Sequence, residues 1–469
     1  MRATHLLAVL LLAAGLAPGA ARAAPRQPSW PQAVAEFRQL LGEVVALNTT
    51  NPPGRELQVA QRLRQILERE GIACQVFESD SGRGVRGNLV ARLTGSGKRG
   101  PLLMLGHMDV VGVEGQQWTS DPFRMTERDG RLFGRGVVDD KGMVVAEALT
   151  LVWLKRLKVP LDRDVIFLAE ADEESGSQYG VRWMLERHPE AIQAEYGINE
   201  GGTTEIVNGR VGYVGLQTSQ KRFVDYHVTA TGPGGHSSEP HADNCILALA
   251  RALPRIAAPF PVQLTPDTRA FFRGIAPLQP PALRAAIARL EDPAAADSAA
   301  AALAEDPWLA ALVHHTVVPT LVNAGFRSNV IPDRAEATLN ARLLPGTDPE
   351  AIRAELERRA GDPRVKVTFT ASSRPEEPGA KFEGPVVEAV RAEAAALFPG
   401  AAVVPLMSNG ATDSAALRAA GIPTYGLMPF PLTPEDSREH GPDERLPLKS
   451  IEPGLRLLYG VVVRVAAGR

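Results

Sequence analysis

The stretch PLLMLGHMDVV, residues 101–111, ends a continuous apolar run in a histidine and an aspartate. Such a run is typical of a strand buried on both faces of a parallel sheet. Ligands of open parallel sheets bind beyond the carboxyl ends of the strands. His107 and Asp109 are two residues apart, so in extended backbone they point the same way. The stretch predicts a sheet of this kind with a site at its carboxyl edge, although a lone His-x-Asp pair is more often structural.

The neighbouring segments fit such a sheet. Residues 31–71 read as an amphipathic helix, an NPPG turn at 51–54 and a second helix. Further on, the strands GNLVARL and DVIFLAE alternate with the helices KGMVVAEALTLVWLKRL and QYGVRWMLERH. Strands that alternate with helices predict an α/β fold, with a mostly parallel sheet covered by helices.

The pattern changes near residue 218. FVDYHVTATG, ATLNARLLPG and VKVTFTA alternate polar and apolar residues as half-exposed strands do, and two helical segments lie between them. We therefore predict a smaller α+β two-layer lid domain at 218–373, inserted into a catalytic domain made of 24–217 and 374–469. The Ala- and Pro-rich part from about 254 to 320 reads as a helical insertion, and the sequence does not indicate its role.

The N-terminus is typical of an export signal. Arg2 precedes the apolar run LLAVLLLAAGLA, and a small-x-small site follows, so residues 1–23 are interpreted as a signal peptide cleaved after Ala23. The run is short for a membrane anchor. We expect an exported protein, periplasmic or secreted. The formal net charge of -3 gives no reason to expect nucleic acid or, after signal cleavage, a membrane as partner. Cys74 and Cys245 are interpreted as buried, unpaired thiols.

Ligand-type side chains follow several other predicted strands or begin helices. They are Asp139 and Asp140 in GRGVVDDKG, Asp172, Glu173 and Glu174 in FLAEADEESGS, Glu200 in YGINEGG, and His440 in SREHGPDERL. Each has an ordinary explanation as a helix cap or a solvated loop residue, and Asp172 is interpreted as solvated. Taken together, two histidines and several carboxylates without thiols suit zinc, or a harder ion such as cobalt or manganese.

The series GHMDVV, GRGVVDDKG, ADEESGS, NEGG and EHGPDE resembles the di-zinc metallopeptidases and amidohydrolases. That family includes glutamate carboxypeptidase, aminoacylase, carnosinase-type dipeptidases and succinyl-diaminopimelate desuccinylase. The resemblance extends from about residue 40 to the C-terminus. It implies that His107 and Glu200 hold one zinc ion and that Glu174 and His440 hold the other. Asp139 would bridge both ions and precede a cis peptide bond.

The resemblance also assigns roles around the two ions. Glu173 would be the general base that takes a proton from the attacking water. Asp109 would orient His107. In the inserted domain, His236 of GPGGHSSEP would reach the active site, often that of a neighbouring subunit. The resemblance leaves action within or across subunits open, and action across subunits would imply a homodimer through that domain.

Three further residues would serve the substrate. Asn329 of RSNVIPD and Arg342 of LNAR resemble binders of the substrate carboxylate, for which an arginine fork is suited. Gly410 of SNGATDS would line the substrate pocket.

These motifs predict a metal-dependent hydrolase that cleaves an amide or peptide bond next to a free carboxylate. A carboxypeptidase or dipeptidase acting on small peptides is the main hypothesis, and an N-acyl-amino-acid amidohydrolase is the alternative. A non-catalytic binding relative is less favoured, because every ligand and the base Glu173 are present.

Overall fold

The computed structural model describes residues 26–80, 85–370 and 378–467; the predicted signal peptide lies outside these ranges. The strands, in chain order, are β1 (Ala73–Asp80), β2 (Val85–Leu93), β3 (Leu102–His107), β4 (Thr126–Arg128), β5 (Arg131–Phe133), β6 (Val165–Glu170), β7 (Tyr196–Asn199), β8 (Thr203–Val207), β9 (Arg210–Gln220), β10 (Arg222–Thr231), β11 (Gly235–His236), β12 (Thr316–Ala324), β13 (Val330–Ile331), β14 (Arg334–Leu343), β15 (Val365–Phe369), β16 (Ala402–Ser408), β17 (Thr424–Gly426), β18 (Pro431–Leu432) and β19 (Arg445–Pro447).

The helices, in chain order, are α1 (Trp30–Val45), α2 (Glu56–Arg69), α3 (Lys141–Arg156), α4 (Val181–Arg187), α5 (Pro189–Ile192), α6 (Cys245–Ile256), α7 (Pro266–Ile275), α8 (Pro281–Ile287), α9 (Ala296–Leu303), α10 (Pro307–Ala311), α11 (Pro349–Ala360), α12 (Pro385–Leu397), α13 (Ser414–Ala419) and α14 (Leu448–Ala466). None of the helices in the described ranges is both long and apolar enough to cross a bilayer.

The larger sheet runs in the order β1-β2-β6-β3-β7-β17-β9-β8-β18, and β16 pairs with β9. Its central strands β6, β3, β7 and β17 are parallel, whereas β1 and β2 join antiparallel. Helices cover both faces, with α1, α3, α12 and α14 on one core and α4, α5 and α13 on the other. The predicted α/β fold with a mostly parallel sheet is confirmed.

The carboxyl ends of three adjacent parallel strands bring the predicted site residues to one edge of this sheet. His107 ends β3, the acidic run 172–174 follows β6, and Glu200 follows β7. The small sheet β19-β5-β4 adds two more segments, because β19 pairs with β5. This pairing joins the GRGVVDDKG segment to the EHGPDE segment, although they are far apart in the chain.

A separate four-stranded antiparallel sheet has the order β12-β14-β10-β15. Its buried side chains pack with α6 and α11, so helices cover one face. The sequence predicted β10, β14 and β15 but not β12, which it placed at the end of a helical region. Pro319 and a register shift beside it lie in this edge strand, where a proline is tolerated.

The helices α7 to α10 belong to the Ala- and Pro-rich segment, yet they pack against the larger sheet. Their core includes Tyr213 of β9 and Val404 and Leu406 of β16. Alternate residues of β9, Val214 and Leu216, face the opposite core. Although it lies within 218–373 in sequence, this segment therefore covers part of the second face of the larger sheet. The boundaries of the inserted domain stay a prediction.

Candidate functional site

His107 is fixed at the end of β3, with only 2% of its surface exposed. Its Nε2 lies 2.9 Å from Oδ1 of Asp139. Its Nδ1 lies 3.0 Å from the main-chain carbonyl oxygen of Asp109 and 3.6 Å from the Oδ1 of that residue. The main-chain oxygen of Asp109 is thus the nearer acceptor for Nδ1, which leaves Nε2 directed at Asp139.

Asp139 lies between two histidines. Its Oδ1 contacts His107, and its Oδ2 lies 3.1 Å from Nε2 of His440. The same nitrogen of His440 lies 3.1 Å from Oε2 of Glu174. A cis peptide bond joins Asp139 to Asp140, as the resemblance implied. One ligand atom each from His107, Asp139 and Glu174 lie within 4.8 Å of one another, a spacing that suits metal ligands.

Negative charge accumulates among the side chains at this edge of the sheet, which we call the cluster: His107, Asp109, Asp139, Asp140, Glu173, Glu174, Glu200 and His440. Burial raises the pKa of Glu200 well above its usual range, and the charges of Asp139 and Asp140 raise it further. Hydrogen bonds to Asp139 and Glu174 raise the pKa of His440 to about 10. Both shifts show that the carboxylates of this site require positive charge beside them. Glu174 Oε1 is buried with no hydrogen-bond partner among the described residues. This donor set therefore fits a divalent cation.

Glu173 begins a single 3-10 turn, Glu173–Ser175, next to the ligand-type Glu174. Burial raises its pKa well above the ordinary value, and the charge of Asp413 adds to this effect. Main-chain N–H groups of Glu173 and Glu174 donate to the Asp109 carboxylate at 3.1 and 3.2 Å. The Asp109 side chain therefore anchors the turn that carries both acids.

The interpretation of Asp172 as a solvated loop residue was wrong. Only 2% of its surface is exposed. Its Oδ1 accepts hydrogen bonds from Arg86 Nη1 at 2.7 Å and Asn51 Nδ2 at 2.9 Å. Asn51 Nδ2 also donates to Asp109, at 2.7 Å. Asp172 is a buried ion-pair partner that ties the acidic turn to Arg86.

Asp140 is fully buried, and its Oδ2 accepts the main-chain N–H of His107 at 3.3 Å. Although it precedes α3, its side chain makes no cap hydrogen bond. The cap interpretation left open for the acids that precede this helix therefore does not apply to Asp140. Cys74 and Cys245 are unpaired, as predicted, but Cys74 is only half-buried.

The predicted substrate binders of the inserted domain lie elsewhere. His236 and Asn329 are exposed, and Nδ1 of His236 contacts the hydroxyl of Ser238 at 2.7 Å. Arg342 is half-buried, with its guanidinium 5.0 Å from the centre of the Phe223 ring.

A cleft of about 860 Å³ opens from the cluster, and Asp139, Asp140, Glu200 and Gly410 line it. His236, Asn329 and Arg342 do not occur among the described residues that line this cleft. Of the four predicted substrate binders, the structure therefore brings only Gly410 into the cleft with the cluster.

Residues 103–464 match the profile of peptidase family M20/M25/M40. The chain belongs to this family. The resemblance drawn from the motifs is thus confirmed, as is the predicted class of metal-dependent hydrolase.

Relatives and a solved structure agree with membership of the M20/M25/M40 family. The chain is 26% identical over 382 residues to the human N-fatty-acyl-amino acid synthase/hydrolase PM20D1, covering 77% of this chain and 73% of that protein. It is 29% identical over 317 residues to a probable succinyl-diaminopimelate desuccinylase of Staphylococcus aureus (strain Mu50), covering 67% and 70%. The crystal structure of an M20 family metallo-carboxypeptidase from Sulfolobus solfataricus superposes with a TM-score of 0.69 at 19% identity, covering 91% of this chain and 98% of that one.

In this M20/M25/M40 chain, the sequence reasoning missed Glu444. Its buried carboxylate accepts main-chain N–H groups of Gly136, Val138 and Asp139 at 2.8 to 3.0 Å. Arg135 Nη1 donates to the same carboxylate at 2.8 Å. Glu444 therefore fixes the segment that carries Asp139. Its place in EHGPDE, four residues after His440, was the available signal.

Proposed function

We propose that the chain is a two-metal hydrolase that cleaves an amide bond next to a free α-carboxylate, as a carboxypeptidase or dipeptidase. One observation carries this proposal above the others. The two carboxylate oxygens of Asp139 contact two different histidines, His107 at 2.9 Å and His440 at 3.1 Å. A carboxylate placed in this way can bridge two cations.

The resemblance assigns His107 and Glu200 to one ion, Glu174 and His440 to the other, and Asp139 to both. We propose zinc as the native metal, because imidazole and carboxylate ligands suit it, with cobalt or manganese as substitutes. The buried Glu174 Oε1, which lacks a partner among the described residues, supports a ligand role for this side chain. When bound, the metal polarises a carbonyl oxygen and lowers the pKa of a water molecule.

Side chains of the protein carry out the proton transfers and hold the base in position. Burial and the charge of Asp413 raise the pKa of the Glu173 carboxylate, which makes it a stronger base. It takes a proton from the attacking water and returns it to the leaving nitrogen. The water oxygen joins the acyl carbon while the carbon–nitrogen bond breaks, which gives a carboxylate and an amine. Asp109 holds Glu173 in position through its main-chain N–H.

A homodimer through the inserted domain would bring His236 of one subunit to the cleft of another, and Arg342 and Asn329 would serve the substrate carboxylate. The exposure of the edge strand β12 supports such a dimer. Val318, Leu321 and Val322 are 53%, 67% and 64% exposed, and nothing in the described residues pairs with the outer edge of this strand. An exposed apolar edge of this kind favours pairing with another strand, here that of a second copy.

Light scattering of the purified protein tests the dimer. Leu321→Glu combined with Val322→Glu should convert the dimer to a monomer. Thr368→Glu, on the opposite edge strand β15, should leave it a dimer. A wild-type monomer at micromolar concentration would contradict this part of the proposal.

An N-acyl-amino-acid hydrolase is the second candidate. The cleft next to Asp139 supports it, because apolar and aromatic residues such as Ile206, Ile275 and Trp308 line it. The similarity to PM20D1, a protein named as a hydrolase of N-fatty-acyl amino acids, supports it as well.

A substrate panel tests both candidates. The purified protein is loaded with zinc or cobalt and assayed on dipeptides and N-acyl amino acids, each with and without a chelator. We expect chelator-sensitive hydrolysis on at least one panel. No turnover on either panel, with metal shown to be bound, would overturn the proposal.

We also propose that the protein is exported to the periplasm or secreted. The apolar run after Arg2 and the small-x-small site ending at Ala23 support this. N-terminal sequencing of the protein from fractionated cells should find a chain that begins at residue 24. An intact N-terminus on protein from the cytoplasm would contradict it.

A further inference from the structure

The cleft that opens from the cluster continues to the C-terminal end of α7 and the N-terminal end of α10. One wall consists of β8 and β9, and the other of the ends of α7 and α10. Six apolar or aromatic residues make up most of these walls: Ile206, Val207, Tyr213, Ile275, Trp308 and Leu309. The whole cleft, including its part at Asp139 and Glu200, has a volume of about 860 Å³, which lies in the range that takes a drug-sized ligand.

The walls of this region are held in place by burial. Ile275 is 1% exposed and Leu309 is 5% exposed, and both belong to the core that joins the helical segment to the larger sheet. Trp308 is 38% exposed and also lines the cleft. The ring of Tyr213 packs edge-on against Phe271, with 5.8 Å between ring centres.

The charged residues described as lining this region are all acidic. Among the described residues that line the cleft there is no lysine, arginine or histidine. Three acids line it in addition to the residues of the cluster, namely Glu205, Asp306 and Glu439. Burial, and then the charges of Asp306 and Glu439, raise the pKa of Glu205 to about 7. A substrate carboxylate in this region would therefore lose water without gaining a cationic partner.

We propose that this region is the acyl subsite of the enzyme and that it selects long, uncharged apolar acyl groups over short or anionic ones. The inference rests on the proposed amide hydrolysis at the cluster and names the class of substrate. The acyl carbonyl lies at the cluster, and the chain extends between β8–β9 and the helical segment. The Ala- and Pro-rich segment thereby gains a function, as one wall of the subsite.

The test compares leucine conjugates that differ only in the acyl group, with the metal-loaded protein. The series acetyl, hexanoyl and dodecanoyl measures chain length. The pair succinyl and pentanoyl measures charge, since pentanoyl carries an ethyl group where succinyl has its terminal carboxylate. Each methylene that becomes buried should raise kcat/KM about fourfold. We expect at least a 100-fold rise from acetyl to dodecanoyl, and at least a tenfold preference for pentanoyl over succinyl.

Two variants locate the subsite. Val207→Trp fills the space between the walls, and it should lower the ratio of dodecanoyl to acetyl kcat/KM at least tenfold. Glu205→Lys supplies a cation, and it should reverse the preference between pentanoyl and succinyl. Val403→Trp, on β16, which pairs with β9 and contributes Val403 to no part of the cleft lining, is the matched control and should keep the wild-type ratio.

A binding measurement removes turnover from the comparison. In a Glu173→Gln background, calorimetry should give a Kd for dodecanoyl-leucine at least 100-fold lower than that for acetyl-leucine. A flat chain-length profile, or a preference for succinyl, together with clear hydrolysis of short substrates, would overturn the subsite and leave the proposed function standing. No hydrolysis of any conjugate or dipeptide would overturn the proposed function, and the subsite with it.

Discussion

The cluster at the edge of the larger sheet and the residues of the inserted sheet differ in what surrounds them. His107 and Asp109 are buried, and hydrogen bonds fix both. His236 and Asn329 are exposed and lie outside the cleft lining. The first group is complete within one chain. The second can act only where the cleft of its own chain, or that of a second copy, is brought against it.

The largest effect should come from the two adjacent acids of the cluster. Glu173→Gln should lower kcat about 10²- to 10⁴-fold, because a general base is lost. It should leave the metal content near that of the wild type. Glu174→Ala should lose metal, since its carboxylate lies within 4.8 Å of the ligand atoms of His107 and Asp139. Steady-state kinetics and elemental analysis measure the two outcomes. Equal metal loss in both variants would show that base and ligand are wrongly assigned.

Replacement of Arg86 tests the buried hydrogen-bond network beside the cluster. This side chain is buried and donates to Asp172 at 2.7 Å and Glu56 at 3.1 Å. Arg86→Met leaves both carboxylates without their cation, so the free energy of unfolding should fall by about 3–5 kcal/mol in urea titrations. Arg64→Met removes an exposed ion pair with Glu68 and should change nothing measurable. Similar losses in both variants would contradict a special role for the buried network.

The sequence was sufficient to predict residues whose positions follow from the strand that carries them. His107 ends a continuous apolar run, and Glu200 follows a short strand beside it, so the parallel sheet alone brings them together. Arg86 and Glu444 could not be found in this way. Asp172 lies 86 residues after Arg86, and Arg135 lies more than 300 residues before Glu444. Only the folded structure brings these partners together.

Burial was the other property that the sequence concealed. Asp172 stands in an acidic run that looks solvated, yet Arg86 compensates it inside the protein. The strand β12 was missed for a related reason. Its β-branched residues follow an Ala-rich helical region. The strand also contains Pro319, and an edge strand tolerates a proline where a central strand does not.

A subunit-mixing experiment tests whether His236 of the inserted sheet acts at the cluster of a second subunit. If His236 acts across subunits, His236→Ala alone should lower kcat about 10²-fold, a loss in the range seen when one transition-state hydrogen-bond donor is removed. Mixing it with inactive Glu173→Gln protein should restore activity, since one site of each mixed dimer has both residues. Random mixing predicts recovery to roughly a quarter of wild-type activity on symmetry grounds. No recovery, with subunit exchange verified, would place His236 in its own subunit's site or outside catalysis.

The smallest effect concerns Lys221, which links β9 of the larger sheet to β10 of the inserted sheet. Its Nζ is buried and donates to the carbonyl oxygens of Ala311 and His314, the latter at 2.8 Å. Burial, and then the charge of Arg342, lowers the pKa of Lys221 to about 7.

Between pH 7 and pH 10 the unfolded chain therefore binds a proton that the folded chain has released. The free energy of unfolding should rise with pH in this window, by at most about 1.4 kcal/mol per pH unit. Lys221→Met removes this contribution, so urea titrations at several pH values should give a smaller slope than for the wild type. Lys366→Met, at an exposed position of β15, should keep the wild-type slope. If Lys221→Met also kept it, the lysine would titrate as a solvated group, and the junction of the two sheets would be open to water.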